Sequence, residues 1–258
     1  MNSPKKMRLG VISALAEEQQ GLIEAMQSPY KLMHGMREYT AGQLWEIDAV
    51  CVLSRIGKVA AAMTAAILVE KFEVTHIVFT GVAGSGDAGV RVGDIVVADA
   101  LIQHDFDASP LFPRFEVPLT GLSQFASDVA LSDKLAEAAR LFIRDQLAHV
   151  IDTAEAKEFG LERPQLHRGL IASGDQFIGK RAQVVRLKEA LPTVLALEME
   201  GAAVAQVCFE LGVPFAVIRT ISDNANEEAA VDFMRFVTSI ASRYAFDVIK
   251  NFCHLSAA

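Results

Sequence analysis

Short apolar runs alternate with helix-like segments along nearly the whole chain, and this alternation restricts the fold more than any other feature. Met7–Ser13, His76–Val82 and Pro214–Ile221 are rich in β-branched and aliphatic residues, as buried strands are. Lys58–Lys71 is apolar around most of its circumference and predicts a helix that is covered on several sides. Strands that alternate with helices are typical of an α/β domain with largely parallel strands.

The remaining segments extend this pattern. We predict further strands at Gln43–Ile47, Ala49–Leu53, Ile95–Ala100, Leu101–Phe106, Gly169–Ser173 and Val194–Leu197, with a tight turn at Asp48 between the first two. Further helices are predicted at Glu17–Met26, Asp133–Gln146, Gly201–Leu211 and Ala229–Asn251, with irregular polar residues after Gln146. The proline-rich segment Asp107–Leu122 excludes helix and central strand, and its large apolar groups indicate a docking surface.

Composition excludes two classes of partner. The 24 basic and 32 acidic side chains give a formal charge of −8, whereas binding to nucleic acid needs a basic face. Although mean hydropathy is +0.29, charged residues interrupt every apolar stretch before the ~20 residues that span a bilayer. The basic start Met1–Lys6 precedes too short an apolar run for a signal peptide. We expect a cytoplasmic protein whose cysteines, at positions 51, 208 and 253, are reduced and bind no metal.

Two glycine motifs resemble nucleotide-binding loops but lack required parts. Gly84–Gly89 matches G-x-G-x-x-G, yet it leads into the strand-like Val90–Ala100 rather than into a helix, which favours a plain glycine loop beside a ligand. Gly57-Lys58 lacks the Ser or Thr that a phosphate loop requires, so we interpret Gly57 as a turn and Lys58 as the start of a helix.

Acidic residues follow three separate predicted strands. Glu17 and Glu18 come after the first strand, Glu198 and Glu200 lie at the end of a later one, and Asp223 follows the last. A single acid in such a place commonly complements a helix dipole, but ligands of α/β sheets bind beyond the carboxyl ends of the strands. Two carboxyl groups around one pocket provide a general acid and a general base when their environments separate their pKa values. The pattern therefore leaves helix capping and an acid/base hydrolase as alternatives.

Eight segments in the same order resemble the 5′-methylthioadenosine/S-adenosylhomocysteine nucleosidases of the nucleoside phosphorylase superfamily. They are LGVISALAEE (Leu9–Glu18), IGKVAAA (Ile56–Ala62), TGVAG (Thr80–Gly84), VGDIVVAD (Val92–Asp99), QHD (Gln103–Asp105), SGDQFI (Ser173–Ile178), LEMEGAA (Leu197–Ala203) and VIRTISDNAN (Val217–Asn226). The resemblance implies a single-domain, three-layer α/β fold with a central mixed twisted sheet flanked by helices. It also implies one catalytic domain at 7–253, with short terminal extensions at 1–6 and 254–258.

The implied activity is hydrolysis of the N-glycosidic bond of an adenine thionucleoside by a homodimer without cofactor or metal. By resemblance, Asp223 is the general acid that protonates adenine N7, Ser222 orients it, and Glu18 activates water. The family pattern places the other binding residues as follows: Glu200 on a ribose hydroxyl, Met199 beneath the sugar, Arg219 at the water site, Phe177 and Ile178 on adenine, Phe233 near the nucleoside, and Ile56 with the neighbouring subunit's Leu111, Phe112 and Pro113 around the 5′ group.

Phosphorolysis is the main alternative within the superfamily. Phosphorylases hold phosphate with arginine and Ser or Thr near positions 79–82, where this chain has Phe79 and Val82. Glu18 also stands where the resembling phosphorylases have an arginine, and a carboxylate repels an anion. The sequence therefore favours water, with another 5′-substituted adenosine as a further possible substrate. Arg55 replaces a glycine usual in the family, and we interpret it as a surface arginine or as a cation near the 5′ substituent.

Overall fold

The computed structural model describes residues 6–161 and 163–257. The strands in these ranges are β1 (Arg8–Ser13), β2 (Gln27–His34), β3 (Arg37–Leu44), β4 (Ile47–Leu53), β5 (His76–Ser85), β6 (Ile95–Gln103), β7 (Gln124–Ala126), β8 (Leu166–Ser173), β9 (Val194–Glu198) and β10 (Phe215–Asp223). The α-helices are α1 (Gln20–Ala25), α2 (Lys58–Glu70), α3 (Val129–Leu141), α4 (Leu147–Val150), α5 (Thr153–Phe159), α6 (Arg181–Ala190), α7 (Gly201–Leu211), α8 (Ala229–Phe236) and α9 (Ser242–Ala257). None of these helices is both long and apolar enough to cross a membrane. Residues 1–5 of the predicted N-terminal extension lie outside the described ranges.

All the strands belong to one mixed sheet, and part of it closes on itself. β10 pairs with both β5 and β6, β6 pairs with β8, β8 with β9, and β9 returns to β5. These five strands form a closed ring, from which β1, β4, β3 and β2 continue in that order. β1, β5 and β10 run parallel, so their carboxyl ends lie on the same side of the molecule.

Helices cover both faces of the sheet because the strands are apolar on both sides. In β1, Leu9 and Val11 pack into a core that includes α3 and α9, while Ile12 packs into the core on the other face, which includes α2 and α7. Alternating side chains of one strand thus supply two separate cores. This arrangement confirms the predicted three-layer α/β fold with a central mixed sheet.

Several predicted elements are displaced. The turn predicted at Asp48 lies at Trp45 and Glu46, which have φ angles of 42° and 71°, and Asp48 itself is inside β4. The helix predicted from Asp133 begins at Val129, because the Asp128 side chain accepts the Leu131 N–H and caps the helix.

Other predictions give the wrong number or extent of elements. The two strands predicted between Ile95 and Phe106 are the single strand β6, and α4 and α5 occupy part of the segment predicted to be irregular. Only α1 forms as α-helix within the predicted helix Glu17–Met26, after a 3₁₀ turn at Ala16–Glu18. The long terminal helix is divided into α8 and α9 by a π-helical segment at Val237–Ala241.

The glycine-rich segment after β5 forms a loop, as predicted. β5 continues through Ser85, and the chain beyond Gly89 enters β6 without forming a helix. Gly93 N donates to the Ile221 carbonyl, and Ile221 N donates to the Asp94 carbonyl. The loop is therefore bonded to β10 directly before Ser222 and Asp223.

Candidate active site

A largely apolar cavity of about 330 Å³ opens at the ends of β1, β5, β9 and β10. This volume suits a small organic ligand. The predicted site residues that line it are Glu18, Ile56, Phe177, Ile178, Met199, Glu200, Asp223 and Phe233. Across the described ranges, no group of three or more His, Cys, Asp or Glu side chains is arranged to hold a metal ion.

Glu18 lies at the end of the 3₁₀ turn that follows β1, and its side chain is buried. Oε2 accepts the N–H groups of Ala14 and Leu15, each at 2.9 Å, and Oε1 accepts the N–H of Val82 at 3.1 Å. Burial raises the pKa of Glu18, while these donors and the nearby Arg219 guanidinium act in the opposite direction. A raised pKa brings a carboxylate closer to the range in which it accepts a proton effectively near neutral pH.

Asp223 ends β10 and is buried on the other side of the cavity. Ser222 Oγ donates to Oδ2 at 2.9 Å, and Ala225 N donates to Oδ1 at 2.9 Å. Burial raises the pKa of Asp223 despite these donors, and the charge of Asp232 adds to the effect. Asp223 is therefore a carboxyl group that retains its proton to a higher pH than an exposed aspartate.

Glu200 lies just beyond β9, where its Oε1 accepts the Gly57 N–H at 2.8 Å. Burial, followed by the neighbouring charge of Glu198, raises the pKa of Glu200 to about 8. The two acids of this short segment thus differ in role. Glu198 forms an ion pair, and Glu200 presents to the cavity a carboxyl group that resists ionisation.

Arg219 is fully buried, but it does not line the cavity. Its Nη2 donates to Glu198 Oε2 at 2.7 Å, and its guanidinium lies 4.1 Å from the centre of the Phe79 ring. Glu198 also accepts the N–H groups of Glu200 and Gly201 and the hydroxyl of Ser173. The ion pair therefore fixes the turn that carries Glu200, a role that the sequence interpretation of Arg219 did not include.

Aromatic and aliphatic side chains form the outer wall of the cavity. The rings of Phe177 and Phe233 meet edge to face with their centres 5.8 Å apart, and Phe177 is 45% exposed. Ile178 is buried and Ile56 is exposed at the rim. An apolar ring system entering the cavity would contact these groups.

Four residues singled out from the sequence lie away from the cavity of this chain. Leu111, Phe112 and Pro113 belong to the segment 107–122 and do not line it, and Leu111 is 84% exposed. Arg55 is exposed, has a φ angle of 68°, and donates from Nη2 to the Met36 carbonyl at 2.5 Å. Its guanidinium is thus bonded to the tip of the β2–β3 hairpin.

Several groups that organise the site have no role that was predicted from the sequence. Glu198 is one, and the backbone N–H groups of Ala14, Leu15, Val82 and Gly57 are the others. The backbone donors leave no signature in residue identity. Glu198 could have been noticed, since it lies two residues before Glu200 in a segment that is otherwise apolar.

Known proteins identify the fold and the family. A profile of the phosphorylase superfamily matches residues 8–254. The chain belongs to the phosphorylase superfamily. A 5′-methylthioadenosine/S-adenosylhomocysteine nucleosidase of Shewanella halifaxensis is 34% identical over 243 residues, which cover 94% of this chain and 97% of the relative.

Solved structures of the superfamily agree with this assignment. The same class of nucleosidase from Colwellia psychrerythraea, in complex with adenine, superposes with a TM-score of 0.83 at 33% identity, covering 97% of this chain and 96% of that one. A futalosine hydrolase of Helicobacter pylori superposes with a TM-score of 0.80 at 30% identity, covering 95% and 97%. The chain therefore lies among the nucleosidases of the superfamily, as its motifs predicted.

The raised pKa of Glu200 predicts a pH-dependent gain in stability for Glu200→Gln. Between pH 4.5 and 8 the unfolded chain ionises this side chain while the folded protein resists ionisation, so the residue costs more stability as pH rises. We expect the melting temperature of Glu200→Gln to exceed that of the unsubstituted protein by ~3 °C or more at pH 8. The difference should shrink toward pH 4.5.

The control for this prediction is Glu210→Gln, which makes the same chemical change at an exposed position near the end of α7. Thermal unfolding of the ligand-free proteins, measured from pH 4.5 to pH 8.5, provides the comparison. If the melting temperature of Glu200→Gln differed from that of the unsubstituted protein by the same amount at every pH, the assigned pKa shift would be contradicted.

Proposed function

We propose that this protein hydrolyses the N-glycosidic bond of 5′-methylthioadenosine, S-adenosylhomocysteine or both. The products are adenine and a 5-thioribose compound, and the nucleophile is water. The observation that carries the proposal is the pair Glu18 and Asp223, two buried carboxyl groups on one cavity whose pKa values are both raised by burial. The similarity to nucleosidases in sequence and in structure supports the same reaction.

Cleavage of this bond creates an electron-poor sugar and needs a leaving group that accepts a proton. Asp223 protonates the departing base, so that adenine leaves as a neutral molecule. Glu18 removes a proton from the water that attacks the anomeric carbon. General acid and general base assistance each contribute typically ~10²–10⁴-fold to such a rate.

The remaining cavity residues bind the nucleoside. Glu200 accepts or donates a hydrogen bond at a ribose hydroxyl, with the Met199 backbone beneath the sugar. Phe177, Ile178 and Phe233 contact adenine and the ribose, and Ile56 contacts the 5′ substituent. Ser222 keeps the Asp223 carboxyl oriented through its 2.9 Å hydrogen bond.

Water rather than phosphate is supported by the surroundings of Glu18. A Cβ atom at Gly81 would lie only 2.9 Å from Glu18 Oε1, so this carboxyl group occupies the space beside the end of β5. The nearby cation, Arg219, is already paired with Glu198. A phosphate ion entering here would meet a carboxylate and no free arginine, which is unfavourable.

Release of the free purine base from a panel of 5′-substituted nucleosides, with and without inorganic phosphate, tests this proposal. The panel contains methylthioadenosine, adenosylhomocysteine, adenosine and futalosine. We expect turnover of at least one of the first two at a rate independent of phosphate. Strict dependence on phosphate would instead indicate a phosphorylase, and turnover of futalosine alone would indicate a different 5′-substituted substrate.

A cytoplasmic homodimer is the second part of the proposal. Large apolar side chains are exposed on the hairpin tip, on α2 and on segment 107–122: Met36, Val59, Met63, Leu111 and Leu119. Val59 and Leu111 are more than four-fifths exposed, although α2 was predicted to be covered on several sides. A second copy would cover such a surface and bring the partner segment 107–122, with Leu111, Phe112 and Pro113, to the 5′ end of the cavity.

Light scattering combined with activity at the same protein concentration tests the dimer. We expect a particle of twice the monomer mass. When Leu111 is replaced by Asp, the measured mass should fall to that of a monomer and the activity should be lost. A fully active monomer would show that segment 107–122 is an ordinary surface loop.

A further inference from the structure

Lys58 belongs to the incomplete phosphate-loop motif Gly57-Lys58, and the proposed reaction assigns no role to its side chain. It is the first residue of α2, and its side chain is only 15% exposed. Its Nζ lies 2.6 Å from Asp105 Oδ1 and 3.9 Å from Asp175 Oδ2. The ammonium group therefore stands between two carboxylates from two other segments of the chain.

Backbone hydrogen bonds close the same three residues into a cycle. Asp175 Oδ1 accepts the Lys58 N–H at 2.8 Å, and Asp105 Oδ2 accepts the Asp175 N–H at 2.8 Å. Burial alone would raise the pKa of Asp105, but the Lys58 ammonium, the Asp175 N–H and His104 together hold this pKa below its usual range. The start of α2, the end of β6 and the turn after β8 are thus bonded to one another through charged groups.

The turn after β8 also packs tightly against His104 and Asp105, which follow β6. A Cβ atom at Gly174 would lie 2.4 Å from the ring of His104 and 3.0 Å from Asp105 Cγ, so only glycine fits there. His104 is buried against it. The turn cannot move toward β6, and the Lys58 cycle restrains it from moving away.

This turn carries a large part of the cavity wall. Gln176, Phe177 and Ile178 follow Asp175 directly and line the cavity. On the other side of Lys58, the N–H of Gly57 donates to Glu200 Oε1 at 2.8 Å. A single lysine thus lies between the group that binds Glu200 and the segment that forms the outer wall.

We propose that Lys58 is a positioning residue for nucleoside binding, which holds residues 174–178 and the Gly57–Glu200 contact in the geometry that the substrate requires. The inference rests on the proposed function for its substrate. Lys58 does not touch the reacting atoms, so its effect falls on binding more than on the chemical step.

Loss of the ammonium leaves two carboxylates beside each other with no cation between them. Like charges close together repel, and solvent screens this pair only in part because the Asp105 side chain is 19% exposed, against 51% for that of Asp175. The repulsion is relieved when one carboxyl group takes up a proton or when Asp105 and Asp175 move apart, and Asp175 is followed directly by the residues of the cavity wall. Phe177 and Ile178 are therefore displaced when Lys58 is removed.

The test compares Lys58→Met with Asp105→Asn, the double variant, and Lys188→Met as a matched control. Lys188 is also a lysine paired with an aspartate, at 2.5 Å from Asp87, but it lies outside the cavity. We expect KM to rise ~10-fold or more in Lys58→Met while kcat changes less than ~3-fold, and no change in Lys188→Met. The double variant should have a lower KM than Lys58→Met, because removing the Asp105 charge relieves the repulsion.

Hydrogen exchange provides a readout that does not depend on activity. Amides of residues 174–178 should exchange ~10-fold faster in Lys58→Met, whereas those of β10 should be unchanged. If Lys58→Met does not fold, Asp105→Asn alone should still raise KM and the exchange at 174–178. Unchanged KM and exchange, or a fall in kcat alone, would overturn the inference.

Failure of the proposed function has a different outcome. It would appear as an unsubstituted protein that releases no adenine, and the exchange rates at 174–178 would then still test the role of Lys58 in holding this turn.

Discussion

Replacement of Asp223 by Asn should lower kcat for adenine release by at least ~10²-fold, and by up to ~10⁴-fold. The carboxamide has nearly the same shape as the carboxyl group. Ser222 Oγ and Ala225 N donate to different oxygens of Asp223, so the single oxygen of Asn keeps only part of this bonding. It cannot transfer a proton to the leaving base. Affinity for adenine, measured by calorimetry, should stay within a few-fold, because the apolar walls of the cavity are unchanged.

Asp232→Asn is the matched control for this prediction. Asp232 lies on α8 outside the cavity, yet its charge contributes to the raised pKa of Asp223. Its replacement should leave kcat within a few-fold and move the basic limb of the pH–rate profile to lower pH. An Asp223→Asn enzyme with close to full rate would show that another group protonates the base.

Replacement of Glu18 by Gln should lower kcat by a similar factor of ~10²–10⁴, because the amide cannot accept a proton from water. The effect has a second cause in this site. Both Glu18 oxygens accept backbone N–H groups, and an amide NH₂ group placed toward Val82 N would face another donor. The side chain would have to rotate, which also moves the remaining oxygen.

The neighbouring Glu17→Gln is an internal control, since Glu17 is exposed and does not line the cavity. It should have the rate of the unsubstituted enzyme. The acidic limb of the pH–rate profile, which reports ionisation of the base, should be lost in Glu18→Gln and retained in Glu17→Gln. A Glu18→Gln enzyme that keeps this limb and its rate would assign the general base to another residue.

The sequence predicted the central part of the fold well because the strands there are buried on both faces. Residues of β1, β5 and β10 form nearly continuous apolar runs, and α7 has the limits Gly201–Leu211 that its small apolar residues indicated. The acidic residues that follow these strands could be predicted to lie close together for the same reason. Carboxyl ends of parallel strands meet, so distant residues such as Glu18 and Asp223 could be expected on one cavity.

Elements at the periphery escaped prediction because little of them is buried. Every residue of β2 is exposed, so the strand shows no alternation of apolar and polar side chains. None of the described side chains of α6 is fully buried, and its sequence has no clear apolar stripe. For such elements local pattern is a weak signal, and pairing with β3 or packing on the sheet decides the structure.

Side-chain partners in the site were the least predictable feature. Arg219 was assigned to the water site from the family pattern, but its ion pair with Glu198 depends on the way β9 and β10 are arranged in the closed part of the sheet. The turn at Trp45 and Glu46 was missed because both residues adopt positive φ angles that sequence preference assigns to Gly, Asn or Asp.

The closed ring of five strands holds Asp223 in a fixed position, whereas other residues of the cavity lie outside this ring. β10 is hydrogen-bonded along both edges, so the strand that ends in Asp223 has no free side along which it can shift. The outer wall of the cavity instead comes from other elements. Phe177 lies in the turn after β8, Phe233 lies on α8, and Ile56 lies just before Gly57 and α2. Substitutions that change which nucleosides the protein accepts are therefore best made on this rim, where altered side chains leave the strand that carries Asp223 unchanged.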